Sequence, residues 1–333
     1  MCQAPLQSHY LDRMLPSPAD VISAAYRLRG ITDRTPLLRS PGLSDAAGAD
    51  VYLKCENLQH TGSFKLRGAY TALASLPADV RARGVVASSA GNHGLGLALS
   101  AQQLGVRARV FVPANAPRVK RDGILRLGAE VDQTQPDYDS AHAEALAYAA
   151  KHDMTFVNPC AGAPLLAGQG TVALEILEEL PALRTVFVPV GGGGLVGGMG
   201  AFLRAVAPDV RIIGAQTENT NAMAASLTAG RRVDIDLHPT IADGLAGQVD
   251  DEGFAIGQRT IDEMHVVSET EAAEAIAWAW CEHQLRVEGS GAVGIAAVLA
   301  SKQSEFAGPI AVVISGGNID ETRWRALTVA RPA

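Results

Sequence analysis

Seven short apolar runs, most of them leading into a polar or glycine-rich stretch and then a helical pattern, set the strongest constraint on how this 333-residue chain folds. They are VYLKC (51–55), GVVASS (84–89), ARVFVP (108–113), TVFVPV (185–190), RIIGAQ (211–216), HVVS (265–268) and IAVVIS (310–315). Helical patterns lie between them at 94–104, 138–151, 168–180, 195–207, 271–284 and 291–302. Strands that are apolar along their whole length are covered on both faces, and strand–helix alternation makes the sheets parallel. The expected fold class is therefore α/β, as one large unit or two lobes. Open parallel sheets receive ligands outside the carboxyl ends of their strands, so the loops there are the place to look for chemistry.

Three such loops stand out. SSAGNHG (88–94) follows GVVA and starts a helix with Ser88, Ser89, Asn92 and His93 crowded together. Gly91 and Gly94 let a ligand approach its backbone, and free N–H groups at a helix start suit a carboxylate or phosphate. A plain helix cap needs only one Ser or Asn. The second loop, VGGGGLVGG (190–198), sets the consecutive glycines Gly191, Gly192, Gly193 and Gly194 at another helix start, an anion nest suited to phosphate. No Gly-Lys-Ser/Thr follows, so it is not a Walker loop. It does contain GxGxxG at Gly192, Gly194 and Gly197, with Glu218 beyond the next strand, which leaves a dinucleotide site as an alternative. The third loop, SGGN (315–318), ends a strand with the Ser315 hydroxyl.

Lys65 lies in TGSFKLRG (61–68), between Phe64 and Leu66, on a glycine turn where a helix begins. A lysine amine forms Schiff bases with carbonyl cofactors when its site lowers its pKa. A cofactor with an aldehyde, a phosphate and a ring nitrogen would use all of these groups. That cofactor is pyridoxal phosphate, with Lys65 for the aldehyde, Gly191–Gly194 for the phosphate and Ser315 for the ring nitrogen.

Composition removes the competing classes. A net charge of −7 argues against nucleic acid as the main partner. No apolar run approaches the roughly 20 residues of a membrane span. The opening MCQAPLQSHYLDRML has no basic region followed by an apolar stretch, so no secretory signal is expected. Cys2, Cys55, Cys160 and Cys281 have no CxxC spacing and read as reduced thiols of a cytoplasmic protein. With 47% hydrophobic and 19% charged residues, the chain can bury a sizeable core.

The sequence resembles the threonine/serine dehydratase family of fold-type II pyridoxal-phosphate enzymes, which includes serine racemases. The resemblance rests on TGSFKLRGA (61–69), SSAGNHGLGLA (88–98), AGQGTVALEI (167–176), PVGGGGLVGG (189–198), TIADGLA (240–246), VEGSGAVGIAAV (287–298) and SGGNID (315–320). It implies a tryptophan synthase β-like fold of two open parallel-sheet lobes with the cofactor in the cleft. A small domain would span 85–158, and 1–84 plus 159–333 would form the large cofactor-binding domain. It further implies that Lys65 carries the cofactor and that Phe64 packs near its ring. Asn92 would bond the ring's 3-oxygen, Gly191 to Gly194 with Leu195 would hold the phosphate, and Ser315 would face the ring nitrogen. Ser89, Ala90, Gly91 and His93 would hold the substrate carboxylate, and Gly244 would lie beside the cofactor. Glu288 would support the site wall through hydrogen bonds. A homodimer is likewise implied.

The implied reaction is an α,β-elimination. Lys65 takes the α-proton of an L-β-hydroxy amino acid, the hydroxyl leaves as water, and a 2-oxo acid and ammonia are released. A neutral Ser315, unlike an Asp, would leave the ring nitrogen unprotonated and favour fast elimination. Serine racemases carry a serine as acid/base at the position of Ala90, and alanine cannot carry a proton, so elimination is favoured over racemisation. Relatives that bind a divalent ion do so with acidic residues where this chain has Gln216, Thr220 and Ala222, so no metal and no strong divalent requirement is expected. NPCAGAP (158–164) is unusually small; with Cys160 at the substrate end, a bulkier 3-substituted serine would fit as well as threonine or serine. The chain ends at Ala333, without the C-terminal regulatory region of feedback-controlled relatives, and a catabolic or specialised role is expected. An amino-acid racemase on the same fold is the nearest alternative. An NAD-dependent dehydrogenase would explain GxGxxG and Glu218 but not Lys65, and a non-catalytic scaffold would use none of these groups.

Overall fold

The computed structural model describes residues 14–89, 91–114 and 118–328. Among the described residues, ten strands run in chain order: β1 (Leu37–Arg39), β2 (Val51–Cys55), β3 (Val85–Ser88), β4 (Ala108–Pro113), β5 (Glu130–Gln135), β6 (Thr155–Phe156), β7 (Thr185–Pro189), β8 (Arg211–Thr217), β9 (Glu263–Val267) and β10 (Ile310–Ile314). They form a six-stranded sheet in the order β1-β2-β10-β7-β8-β9 and a four-stranded sheet in the order β5-β4-β3-β6. All strand pairs are parallel except β1, which runs antiparallel to β2 and so departs from the expected all-parallel arrangement. A short edge strand needs no crossover helix, and parallel sheets commonly carry such an antiparallel edge.

The apolar runs do what their composition demands. Along β10, Ile310, Val312 and Ile314 enter one hydrophobic cluster, while Ala311 and Val313 enter the other. β7 divides in the same way, with Phe187 on one side and Val186 and Val188 on the other. Side chains alternate across a strand, so a strand buried on both faces must be apolar throughout. One core packs the helix Gly289–Ala300 on the sheet, and the other packs the helix Gly194–Val206. β3 and β4 have their own clusters, closed by the helices Asn92–Leu104 and Tyr138–Lys151.

The seven expected strands all form. β1, β5 and β6 were not expected, and each stands at a sheet edge. β5 reads EVDQTQ with no fully buried residue, and β6 has only two residues. Edge strands are short and polar, so an apolar signal does not reveal them. The fold's consequence is positional. β2, β10 and β7 are neighbours, and their carboxyl ends deliver Glu56, Ser315 and the glycine row to one edge.

Candidate active site

Lys65 is the first residue of the helix Lys65–Ser75 and is half-buried. The turn before it is stitched to the third loop. Ser63 pairs with Gly316 in an isolated antiparallel bridge, and the Phe64 N–H donates to the Ser315 carbonyl at 3.2 Å. The Gly317 N–H donates to the Gly62 carbonyl at 2.9 Å. Gly62 has φ +71°, and a Cβ there would stand 2.5 Å from Asn318 Oδ1, so only glycine makes this turn against that loop. The Lys65 amine donates to the Pro159 carbonyl at 2.8 Å and lies 5.1 Å from the Phe64 ring centroid.

The first loop joins the same assembly. Asn92 opens the helix Asn92–Leu104, and its Nδ2 donates to Glu288 Oε1 at 2.6 Å. Asn318 Nδ2 donates to Asn92 Oδ1 at 2.7 Å and to the Thr61 carbonyl at 2.8 Å. Both ends of the Asn92 amide are thus fixed, leaving one N–H for a ligand oxygen. Glu288 stands where a wall-supporting group was expected, and the structure adds Asn318 as the second clamp. The Gly91 N–H donates to Ser89 Oγ at 3.2 Å. Ala90 lies outside the described residues.

His93 is buried and its Nε2 lies 3.1 Å from the Val157 carbonyl. A carbonyl only accepts, so Nε2 carries the proton and Nδ1 is left as a bare acceptor without a partner among the described residues. Burial, followed by the charge on Lys65, pushes the imidazole down to about 3, so it is neutral at physiological pH. The ring is buried and near enough to Lys65 for that charge to act on it. A carboxylate at this loop would meet the helix-start backbone rather than the imidazole.

The glycine row begins where β7 ends. Gly193 caps the helix Gly194–Val206 with φ 91°. A Cβ on Gly192 would stand 2.9 Å from Cys160 Sγ, and one on Gly194 2.9 Å from Cys160 Cα. Cys160, read as lining the substrate end, therefore packs on the glycine row itself. A Cβ on Gly191 would stand 3.2 Å from Leu245 Cα and 3.5 Å from the Gly244 carbonyl. The Gly244 N–H donates to Ser290 Oγ at 2.8 Å, and Ser315 Oγ donates to the Ser290 carbonyl at 3.3 Å. Leu195 and Phe64 share one buried cluster. The described members of the expected set are thus connected through a few shared neighbours.

Two residues singled out in the sequence have local partners. Glu218, the acid of the dinucleotide reading, accepts from the Glu269 N–H at 3.1 Å, at the start of the helix Glu269–His283. Gln216 donates its amide to the carbonyls of Val190 at 3.0 Å and Thr220 at 2.6 Å, and accepts from the Ala224 N–H at 3.0 Å. Its NH2 group thus engages carbonyl oxygens that could otherwise face a cation. Among the described residues, no group of three or more His, Cys, Asp or Glu could hold a metal ion.

The residues fit pyridoxal phosphate. Side chains are absent along Gly191–Gly194, where backbone N–H groups can meet a phosphate. Ser63 Oγ and His93 Nδ1 are buried and unpartnered among the described residues; Ser63 is two residues from Lys65, whose charge also acts on His93.

Residues 28–316 match the family described as pyridoxal-phosphate dependent enzyme. The chain belongs to that family. Pyridoxal phosphate is its cofactor, and its fold is fold type II. The chain is 44% identical to the L-threonine ammonia-lyase of Thermotoga maritima over 302 residues, which cover 90% of this chain and 75% of that one. It is 34% identical to the serine racemase of Arabidopsis thaliana over 310 residues, covering 91% and 94%. Threonine deaminase isoform 2 from Solanum lycopersicum, in its processed form, superposes with a TM-score of 0.87 at 33% identity, covering 93% of this chain and 91% of that one.

Proposed function

We propose that this chain is a pyridoxal-phosphate-dependent ammonia-lyase that converts an L-β-hydroxy amino acid (threonine, serine or a bulkier 3-substituted serine) to a 2-oxo acid and ammonia. The observation that carries the reading is the stitching of the Lys65 turn to Ser315 and Gly316, beside the glycine row. It supports one lysine and a hydroxyl at a common ligand edge. Similarity to the ammonia-lyase of Thermotoga maritima supports the reaction class.

When bound, the cofactor withdraws electrons from the substrate's α-carbon and makes its proton acidic. The chain's residues supply the rest. Gly191 to Gly194 and Leu195 would hold the phosphate through backbone N–H groups, with Gly244 beside Gly191. Asn92, its amide clamped by Glu288 and Asn318, would offer its remaining N–H to the ring's 3-oxygen, and Ser315 would serve the ring nitrogen. Phe64 would pack near the ring. Ser89, Ala90, Gly91 and the backbone of His93 would receive the substrate carboxylate. Lys65 would be the cofactor's attachment point, and its amine, which donates to the Pro159 carbonyl, would take the α-proton. Cys160 packs on the glycine row, and the small residues Ala161 and Gly162 beside it support acceptance of a larger β-substituent.

Two lobes, 85–158 and the remainder, close on the substrate from either side. Racemisation is the second reading, favoured by similarity to serine racemases; Ala90 offers no proton-bearing group for it. Among the described residues, no helix is long and apolar enough to cross a membrane. A homodimer in the cytoplasm completes the reading. Lys65→Ala tests it: visible cofactor absorbance should disappear, and 2-oxo acid release from L-threonine and L-serine should fall at least about a thousandfold. Undiminished release would refute it.

A further inference from the structure

The helix that starts at Lys65 has no side-chain cap; Phe64 stands at the capping position and makes no side-chain bond there. Its first turn is held from two sides instead. On one side, Phe64 bonds the Ser315 carbonyl through its N–H. On the other lies a buried ionic network. Arg67, 1% exposed, sends Nε and Nη2 to the two oxygens of Glu56 at 2.8 Å each. Its Nη1 and Nη2 reach the two oxygens of Glu175 at 2.6 and 2.9 Å. Lys54 Nζ, fully buried, joins Glu175 at 2.6 Å and the Thr35 carbonyl at 2.7 Å. The two cations and two carboxylates balance.

Burying three of these charges and most of the fourth costs desolvation that their attraction repays only in part, so such a network is a poor source of stability. Paired guanidinium forks fix geometry. That geometry bears on the site. Glu56 directly follows Cys55, the last residue of β2, and Cys55 is level with Ile314, the last residue of β10, which Ser315 follows. The first helical turn is therefore tied through Arg67 to the end of β2 and through Phe64 to the end of β10. Lys65 lies between the two attachments.

We propose that Arg67 is a positioning residue for Lys65: its forked bonds to Glu56 and Glu175 fix the helix start against β2 and so set where the Lys65 amine stands relative to Ser315. The proposal rests on the reading of Lys65 as the cofactor's attachment point. Two variants separate positioning from stability. Arg67→Lys keeps the charge and loses the fork. Arg67→Met combined with Glu56→Gln removes one positive and one negative charge and leaves Lys54 and Glu175 balanced.

For each protein, the cofactor-free form is mixed with pyridoxal phosphate and the growth of visible absorbance is timed. The pH dependence of that absorbance, kcat, KM and the melting temperature are then measured, and the adduct is reduced with borohydride and mapped to its peptide. Both variants should take up cofactor about 10- to 100-fold more slowly, with kcat down by a similar factor. KM should change less than kcat, the absorbance should titrate at a shifted pH, and the double variant should melt close to the wild type. Unchanged uptake, titration and kcat in the double variant would overturn the proposal. So would losses that only follow the loss of folded protein in both variants. If the wild-type adduct maps to a lysine other than Lys65, the attachment reading itself fails and the proposal falls with it.

Discussion

Gly192→Ala tests the packing of the phosphate seat. The new Cβ would stand 2.9 Å from Cys160 Sγ and 3.3 Å from Cys160 Cβ, inside the usual contact distance of about 3.5–4.0 Å. The segment carrying Cys160 would have to yield, and its neighbour Pro159 holds the Lys65 amine through its carbonyl. Overpacking of this kind costs about 1–3 kcal/mol, equivalent to about a 5- to 150-fold loss if it falls on cofactor affinity. Cys160→Gly removes both offending atoms. In a double-mutant cycle, pyridoxal phosphate affinity is read by absorbance titration and the stability of the cofactor-free protein by denaturant unfolding. The double variant should recover part of the loss, with a coupling of about 0.5–3 kcal/mol. Additivity within about 0.5 kcal/mol in both measurements would refute the contact as the reason for glycine at 192.

Four further outcomes are expected. His93 is neutral in the folded protein down to about 3, against 6.5 when free, so the unfolded chain binds the extra proton between those values and stability falls as pH drops below 6.5. The fall is about 1.4 kcal/mol per pH unit, and denaturant titrations of His93→Gln from about pH 6.5 to 5 should show a flatter slope than wild type; equal slopes would contradict it. Gln216→Glu removes the donors that satisfy the Val190 and Thr220 carbonyls and should cost about 1–3 kcal/mol, recovered in part by millimolar Mg²⁺ or Ca²⁺. The unmutated protein should keep its activity after chelator treatment, and strong activation by Mg²⁺ would contradict this. Ser315→Asp should protonate the ring nitrogen, slow elimination and raise the share of D-amino acid product, measured by chiral chromatography; an unchanged product ratio would count against the role of Ser315.

The sequence revealed the parts of the fold whose signal is local. Mostly apolar runs marked β2, β7 and β10 because two-sided burial favours apolar side chains along them, the paired Lys54 in β2 being an exception. The loops after β3, β7 and β10 were visible because glycine and small polar residues cluster directly after those runs. Edge strands were hidden, since solvent on one side leaves β5 a polar sequence. The contacts that orient the site were hidden for another reason. Asn92 meets Glu288 across 196 residues, Asn318 meets Thr61 across 257, and Arg67 meets Glu175 across 108. No spacing rule reaches that far. In Arg67 a charged residue sits in a helix with mostly apolar neighbours, a hint of burial that names no partner. Cys160 shows the limit of reading size alone: its small side chain answers to the glycine row, a contact that only the fold makes visible.

The central claim is elimination at Lys65, and it is tested most directly by product partition on the purified holoenzyme. L-threonine, L-serine, both 3-hydroxyaspartate diastereomers and L-threo-phenylserine are supplied in turn, and 2-oxo acid, ammonia and D-amino acid are measured together, with Lys65→Ala as control. The predicted result is oxo acid and ammonia in equal amounts, far exceeding any D-enantiomer, and lost in the control. D-amino acid in excess of oxo acid would contradict it and would place a proton-bearing group on the substrate face that Ala90 cannot serve.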